Sequence, residues 1–153
     1  MNLQDLEKRI QRLEDIEEIR LLKHEYCAAC DDQHNADRIL AIFTEDGVWD
    51  GGKTFGRAEG HAAIYDLFHN HHRTNVLVSQ HNVMNERINV HEDGVTANAT
   101  WYIMAPLTVQ PANRIWCIGR YEEEYVKVDG KWKIKSLCAC EEEGIIAPYE
   151  IGW

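Results

Sequence analysis

Long apolar runs are missing from this 153-residue chain, so no segment of it is expected to cross a membrane as a helix. Its first residues, Met1-Asn2-Leu3-Gln4-Asp5-Leu6-Glu7, lack the basic stretch and apolar stretch of a secretory leader. A cytoplasmic protein is the expectation. Basic residues are scarce, with 16 Lys and Arg against 26 Asp and Glu, for a net charge of −10. Binding to a phosphate backbone needs clustered cations, so nucleic acid is not the expected partner. The balance suits an enzyme that handles neutral, largely apolar molecules.

Several catalytic signatures are missing too. Without Gly-x-Ser-x-Gly there is no usual hydrolase elbow. Without a phosphate-binding loop or a Rossmann glycine pattern there is no sign of a nucleotide cofactor. The five cysteines, at positions 27, 30, 117, 138 and 140, are too few and too oddly numbered for a disulfide framework. Cys27-x-x-Cys30 falls inside a helical pattern and Cys138-x-Cys140 along a strand, so buried reduced thiols are expected. His69-x-His71-His72 ends a helix with no carboxylate at ligand spacing, and no metal is expected. The chain therefore calls for chemistry that needs no cofactor.

What is present begins with a helix. Leu6, Ile10, Leu13, Ile16, Ile19, Leu22 and Tyr26 recur at steps of three and four, which predicts one long amphipathic helix over roughly residues 3–31. Its first half is dense in charge, so it should project from the core or pack on a sister subunit. Asn35 reads as the cap of a second helix running to about Phe43. Gly47–Gly52 reads as a short strand and turn, and Ala58–Phe68 as a third helix. From Val76 the pattern turns to strands. His81–Val90 and Val95–Val109 flank one turn, while Arg114–Val128 and Lys131–Cys140 flank Asp129-Gly130, a two-residue hairpin signal. Three helices followed by a long antiparallel meander predict an α+β fold, read as one domain over residues 1–153.

The feature richest in chemistry is the carboxylate pair Asp31-Asp32 at the end of the first helix, with His81 far downstream. A carboxylate there faces the negative end of the helix dipole and needs a compensating partner. A histidine in a pocket would supply one, and the pairing points to proton transfer. Histidine as a residue type has an unperturbed pKa near 6.5, which suits His81 to the role of general base. The aspartate would fix its tautomer and stabilise the imidazolium as it forms, as in a catalytic triad without a nucleophile. The plainer alternatives are a strand histidine satisfied by the backbone and an aspartate that caps a turn.

The stretches Ile19–Asp31, Ile39–Trp49, His81–Ala99, Gly119–Lys133 and the ending Pro148–Trp153 together carry a resemblance. In order and spacing the chain resembles the SnoaL-like branch of the nuclear transport factor 2-like superfamily. That implies a conical α+β fold in which helices and a curved, mostly antiparallel sheet enclose an apolar pocket. Within it the chain looks most like the dehydratases and dehydrohalogenases that share an Asp–His dyad, among them scytalone dehydratase, bile-acid 7α-dehydratase and hexachlorocyclohexane dehydrochlorinase. The branch's tyrosine, five residues before its aspartate, matches Tyr26 and Asp31. Counting back from Phe43 gives Asp32 instead, so both stand as candidates. The acidic residue that bile-acid 7α-dehydratase carries on the strand Trp101–Ala105 is replaced here by Met104 or Ala105.

The resemblance implies a cofactor-independent lyase, a dehydratase of an apolar cyclic hydroxy-ketone of steroid or polyketide type. His81 and Asp31 would form the dyad, and Tyr26 would donate a hydrogen bond to a substrate oxygen. Trp49, Trp101 and Trp116 are candidates for the pocket wall, although aromatics in such a sheet commonly serve the core. Arg120 could meet an anionic group or pair with Glu122–Glu124. A double-bond isomerase is the nearest alternative. A non-catalytic binding or scaffold subunit, such as the β chain of a ring-hydroxylating dioxygenase, is the alternative from another class. Relatives of this kind imply a homo-oligomer, either a trimer or a dimer.

Overall fold

A computed structural model of the chain describes residues 2–148. The first helix, α1 (Leu3–Asp31), starts at a reciprocal cap in which the Asp5 N–H donates to Asn2 Oδ1 at 2.8 Å and the Asn2 N–H to Asp5 Oδ2 at 3.2 Å. Only its second half meets the core. Leu3, Leu6, Ile10 and Leu13 remain 40–70% exposed, so the N-terminal turns stand clear of the protein. Helix α2 (Ala36–Ile42) is capped by Asn35, whose side chain accepts from the Arg38 N–H at 3.2 Å.

The stretch expected as a third helix departs from that expectation. After β1 (Phe43–Asp50) and the single turn α3 (Gly52–Phe55), residues Arg57–Glu59 form the short strand β2 antiparallel to β1. Gly56 and Gly60 bracket it at φ +86° and +79°, a backbone that starts no helix before His61. The helix then runs later than expected, as α4 (His61–Asp66), a π-helical segment Leu67–His72 and a last turn α5 (Arg73–Asn75). The π segment buries both Phe68 and His72.

The remaining strands are β3 (Val76–Ser79), β4 (Asn82–Val90), β5 (Thr96–Val109), β6 (Asn113–Val128) and β7 (Lys131–Pro148). They join β1 and β2 in one strongly curled sheet of order β2-β1-β7-β6-β5-β3, with β4 also on β5. The sheet is mixed rather than a pure meander, because β1 runs parallel to β7. The expected α+β class holds, with the helices packed against the curled sheet. β3 and β4 lie one after the other along the same edge of β5, which they meet at Leu107–Val109 and Ala97–Met104 respectively. The handover between them falls at Gln80 and His81. Inward residues of β5 alternate strictly, Ala97, Ala99, Trp101, Ile103, Ala105 and Leu107 all being buried. No helix among the described residues is long and apolar enough to cross a membrane. From Tyr149 onward, the chain ending that enters the resemblance lies outside the described residues.

The core carries charges that the apolar pattern of α1 did not announce. Lys23 is wholly buried and pairs with Glu123 of β6. Its ammonium lies 3.5 Å from the ring centre of Tyr121 and 4.4 Å from that of Tyr26. Glu123 also accepts from the Tyr125 hydroxyl, and that hydroxyl accepts from Trp101 Nε1 at 3.2 Å. Farther toward the start of α1, buried Asp15 accepts from Lys127 Nζ at 2.5 Å and Trp132 Nε1 at 3.0 Å. Removing one member of a buried pair strands the other charge, at a cost of about 3–5 kcal/mol. Lys23→Met should therefore lower the urea midpoint by that equivalent. Lys23→Met combined with Glu123→Leu should recover most of the loss, and equal losses in the two variants would show that the pair is not coupled.

Candidate active site

Asp31 is the last residue of α1, and His81 stands between β3 and β4, directly before Asn82. The Asp31 carboxylate accepts four contacts from this junction. Ser79 Oγ donates to Oδ1 at 2.9 Å, the His81 N–H donates to Oδ2 at 3.0 Å and Oδ1 at 3.1 Å, and His81 Nδ1 lies 2.7 Å from Oδ1. A carboxylate only accepts, so the proton of the neutral imidazole is on Nδ1 and Nε2 keeps its lone pair. Burial raises the Asp31 pKa, but the hydrogen bonds from the His81 side chain and backbone and from Ser79 outweigh it and leave the pKa lowered from 3.8. The His81 side chain is 10% exposed and that of Asp31 30%, so the dyad stands at a rim.

Behind the rim lies a cavity of about 290 Å³ between the helices and the concave face of the sheet. That is near the small end of the ~300–1,000 Å³ usual for small-molecule sites. Its walls are mostly apolar, from Phe55, Phe68, Val76, Ile103 and Leu107 among others. Its polar groups include Tyr26, His34, Thr54, His72, His81 and Arg120, with Tyr121 and Cys30 beside them.

The other expected site residues separate into two sets. Tyr26 and Trp49 line the cavity, and Trp49 Nε1 donates to the Tyr26 hydroxyl at 2.8 Å. Burial, with Cys30 and Tyr121 adding to it, raises the Tyr26 pKa well above 10, so it keeps its proton. Arg120 also lines the cavity and donates to Glu122 Oε1 at 2.5 Å. Asp32, by contrast, faces away. Its carboxylate is 51% exposed, pairs with Arg38 Nη1 at 3.1 Å and accepts from Asn35 Nδ2 at 3.0 Å. Trp101 is fully buried in the network with Tyr125, and Trp116 is half-buried opposite Pro106 and Ala147. Neither is part of the cavity wall. The Cys27 and Cys30 thiols are buried in α1, and burial pushes Cys27 up to about 11.

Two cavity histidines were not expected. His72 belongs to the helix-end cluster, but the π segment separates it from exposed His69 and His71 and turns it inward. Its Nε2 donates to the Phe55 carbonyl at 2.9 Å, and burial lowers its pKa. His34 follows the aspartate pair by two residues, and that proximity was the only sequence signal it offered.

Comparison with known proteins places this arrangement in a family. The profile of the SnoaL-like domain matches residues 11–137. The chain belongs to the SnoaL-like domain family. Among solved structures, this SnoaL-like chain is similar to a type 2 hexachlorocyclohexane dehydrochlorinase at 20% identity, covering 93% of both chains with a TM-score of 0.83. A candidate scytalone dehydratase from Novosphingobium aromaticivorans matches at 21% identity and a TM-score of 0.81, covering 94% of this chain and 93% of the other. A candidate aromatic ring hydroxylase from the same species matches at 26% identity and a TM-score of 0.77, covering 90% and 94%. No match was found among curated proteins. These likenesses show the fold.

The dyad makes a stability prediction. The folded pKa of Asp31 lies below its ordinary value, so its contribution to stability is present above pH ~4 and disappears as pH falls through the depressed pKa. Asp31→Asn should be less stable than wild type by about 1–3 kcal/mol at pH 7. The difference should close on acidification, as read from urea melts between pH 7 and pH 2. A gap independent of pH would mean that the carboxylate charge is not what holds the junction.

Proposed function

We propose that this SnoaL-like protein is a cofactor-independent lyase, a dehydratase acting on an apolar cyclic hydroxy-ketone of steroid or polyketide type. One observation carries the reading: Asp31 holds His81 through Nδ1, which leaves the basic Nε2 at the rim of an apolar cavity. His81 Nε2 removes a proton from the carbon next to the carbonyl, and the electron pair passes into the carbonyl as an enolate. The enolate then expels the neighbouring hydroxyl, which takes the proton back from His81 and leaves as water. Asp31 stabilises the intervening imidazolium. Tyr26 keeps its proton and assists as a donor to a substrate oxygen, and Arg120 stands at the wall for a polar substituent. Trp49 shapes the apolar wall. No step requires a metal or an organic cofactor. Such acid–base catalysis supplies about 10²–10⁴-fold, with orientation in the cavity providing more.

The test is a mass-resolved turnover screen of hydroxylated steroids and cyclic hydroxy-ketones. Wild type should release product lighter by about 18 mass units, one water, and His81→Ala should lower kcat/KM by about 10²–10⁴-fold. Asp31→Asn should fall with it, and Asp32→Asn should stay near wild type. Product of unchanged mass with the same dependence would make the enzyme a double-bond isomerase. Activity that survives His81→Ala would sink the dyad mechanism.

The 26% identity to a candidate aromatic ring hydroxylase favours a second reading, a non-catalytic subunit beside a ring-hydroxylating chain. Co-purification with an iron-containing chain, together with no turnover, would decide for it. In either case we propose a cytoplasmic homo-oligomer that binds neither nucleic acid nor membrane. Met84 and Tyr102 pair across β4 and β5, and Met104 follows on the same outward face, all 36–54% exposed. A contiguous apolar sheet face suits burial against a second copy. Sedimentation should show a dimer or trimer, and Tyr102→Glu with Met104→Glu should shift it to monomer. A wild-type monomer would refute the association.

A further inference from the structure

The turn after Asp31 brings a third imidazole into the cavity. Gln33 and His34 both take left-handed backbone, at φ +53° and +52°, where residues other than glycine are uncommon. Hydrogen bonds from the His34 N–H to the Cys30 carbonyl at 3.0 Å and from the Asn35 N–H to the Ala29 carbonyl at 2.9 Å hold the turn. The outcome is a histidine only 6% exposed that lines the cavity. Its ring centre lies 6.2 Å from that of His81, 5.6 Å from His72 and 6.1 Å from Phe68.

The three imidazoles differ in how they are satisfied. His81 has Asp31 on Nδ1, and His72 has the Phe55 carbonyl on Nε2. His34 Nδ1 is buried without a hydrogen-bond partner. A buried polar atom left unpaired is costly, and here the cost is added to a left-handed turn. An apolar residue would fill the same place without that penalty. Backbone strain and an unpaired polar atom in one cavity residue are the pattern of a group held ready for a ligand.

We propose that His34 is a binding residue of the cavity, donating a hydrogen bond to the carbonyl or hydroxyl oxygen of a neutral cyclic molecule bound beside His81. The proposal rests on the reading of the cavity as the substrate site, and deepens it by naming the polar contact next to the base. Burial, followed by the neighbouring His72 and His81 and opposed by Asp31, pushes the His34 pKa down to about 3. A neutral imidazole donates to an uncharged oxygen and does not compete with His81 for a proton. His34 thus selects for oxygen at one point of a mostly apolar wall.

The test compares phenol with toluene, matched rings that differ by hydroxyl against methyl. Both are titrated into the intact protein with ¹⁵N-labelled histidine, followed by long-range ¹H–¹⁵N spectra of the imidazoles. Wild type should bind phenol about tenfold more tightly than toluene, as expected for one buried hydrogen bond, with the ring nitrogens of His34 shifting for phenol and not for toluene. His34→Phe should keep toluene binding and lose the preference, and His34→Gln, which retains a donor, should restore part of it. The wild-type spectra decide the matter even if a variant does not fold. Phenol that shifts only His81, a preference that survives in His34→Phe, or no binding of either probe would each overturn the proposal. Failure of the dyad would appear separately, as turnover retained in His81→Ala.

Discussion

The candidate site depends on one carboxylate that closes a helix from the wrong end. Asp31 sits where the dipole of α1 is negative, and the fold offsets this with hydrogen bonds from Ser79 and from the His81 backbone and ring. All of the donors come from the point where β3 hands over to β4 along the edge of β5. The same contact therefore ties the longest helix to the sheet, fixes the His81 tautomer and places the dyad at the cavity rim. Fold and candidate chemistry share that constraint. Loss of the carboxylate charge would loosen both together.

Behind the cavity lies a second electrostatic commitment. Lys23 and Glu123 are buried as a pair, and Tyr26 and Tyr121 present their ring faces to the ammonium while also lining the cavity. Two tyrosines thus separate a full charge from an apolar space, and the cavity wall is set by partners on its far side. Buried pairs of this kind add little net stability over apolar residues of similar volume. Their effect here is positional. Lys23 can satisfy Glu123 only if α1 and β6 meet in one register, and that register fixes where Tyr26 and Asp31 fall.

Local features of the sequence were legible, and non-local ones were not. The periodicity of α1 from residue 3 to residue 31 and the left-handed pair Asp129–Gly130 depend on neighbours in the chain, and the structure shows both. The parallel pairing of β1 with β7 joins residues some ninety apart in sequence and leaves no local mark, so an antiparallel meander was the natural expectation. The expected third helix begins at Ala58, inside β2, and the left-handed Gly56 and Gly60 on either side of that strand delay the helix to His61. Trp101 looks like Trp49 in sequence, yet one is held in the core by Tyr125 and the other faces the cavity beside Tyr26. His34 had no periodic pattern to betray it, since a left-handed turn rather than a helix face determines where it points.

The cavity's imidazoles are unlike one another, and the difference bears on any proton transfer there. A proton gained by His81 creates a cation next to Asp31, at a contact distance of 2.7 Å. Had His34 been charged as well, two cations about 6.2 Å apart, taken between ring centres, would oppose each other. At an effective dielectric of ~20 that repulsion is about 3 kcal/mol, roughly a hundredfold in the population of the imidazolium. Burial of His34 and His72 lowers the pKa of both, so neither imposes this cost near neutral pH. The exposed rim and the buried wall thus divide the work: charge can form where a carboxylate and solvent meet His81, and polarity without charge is kept where a neutral molecule would lie.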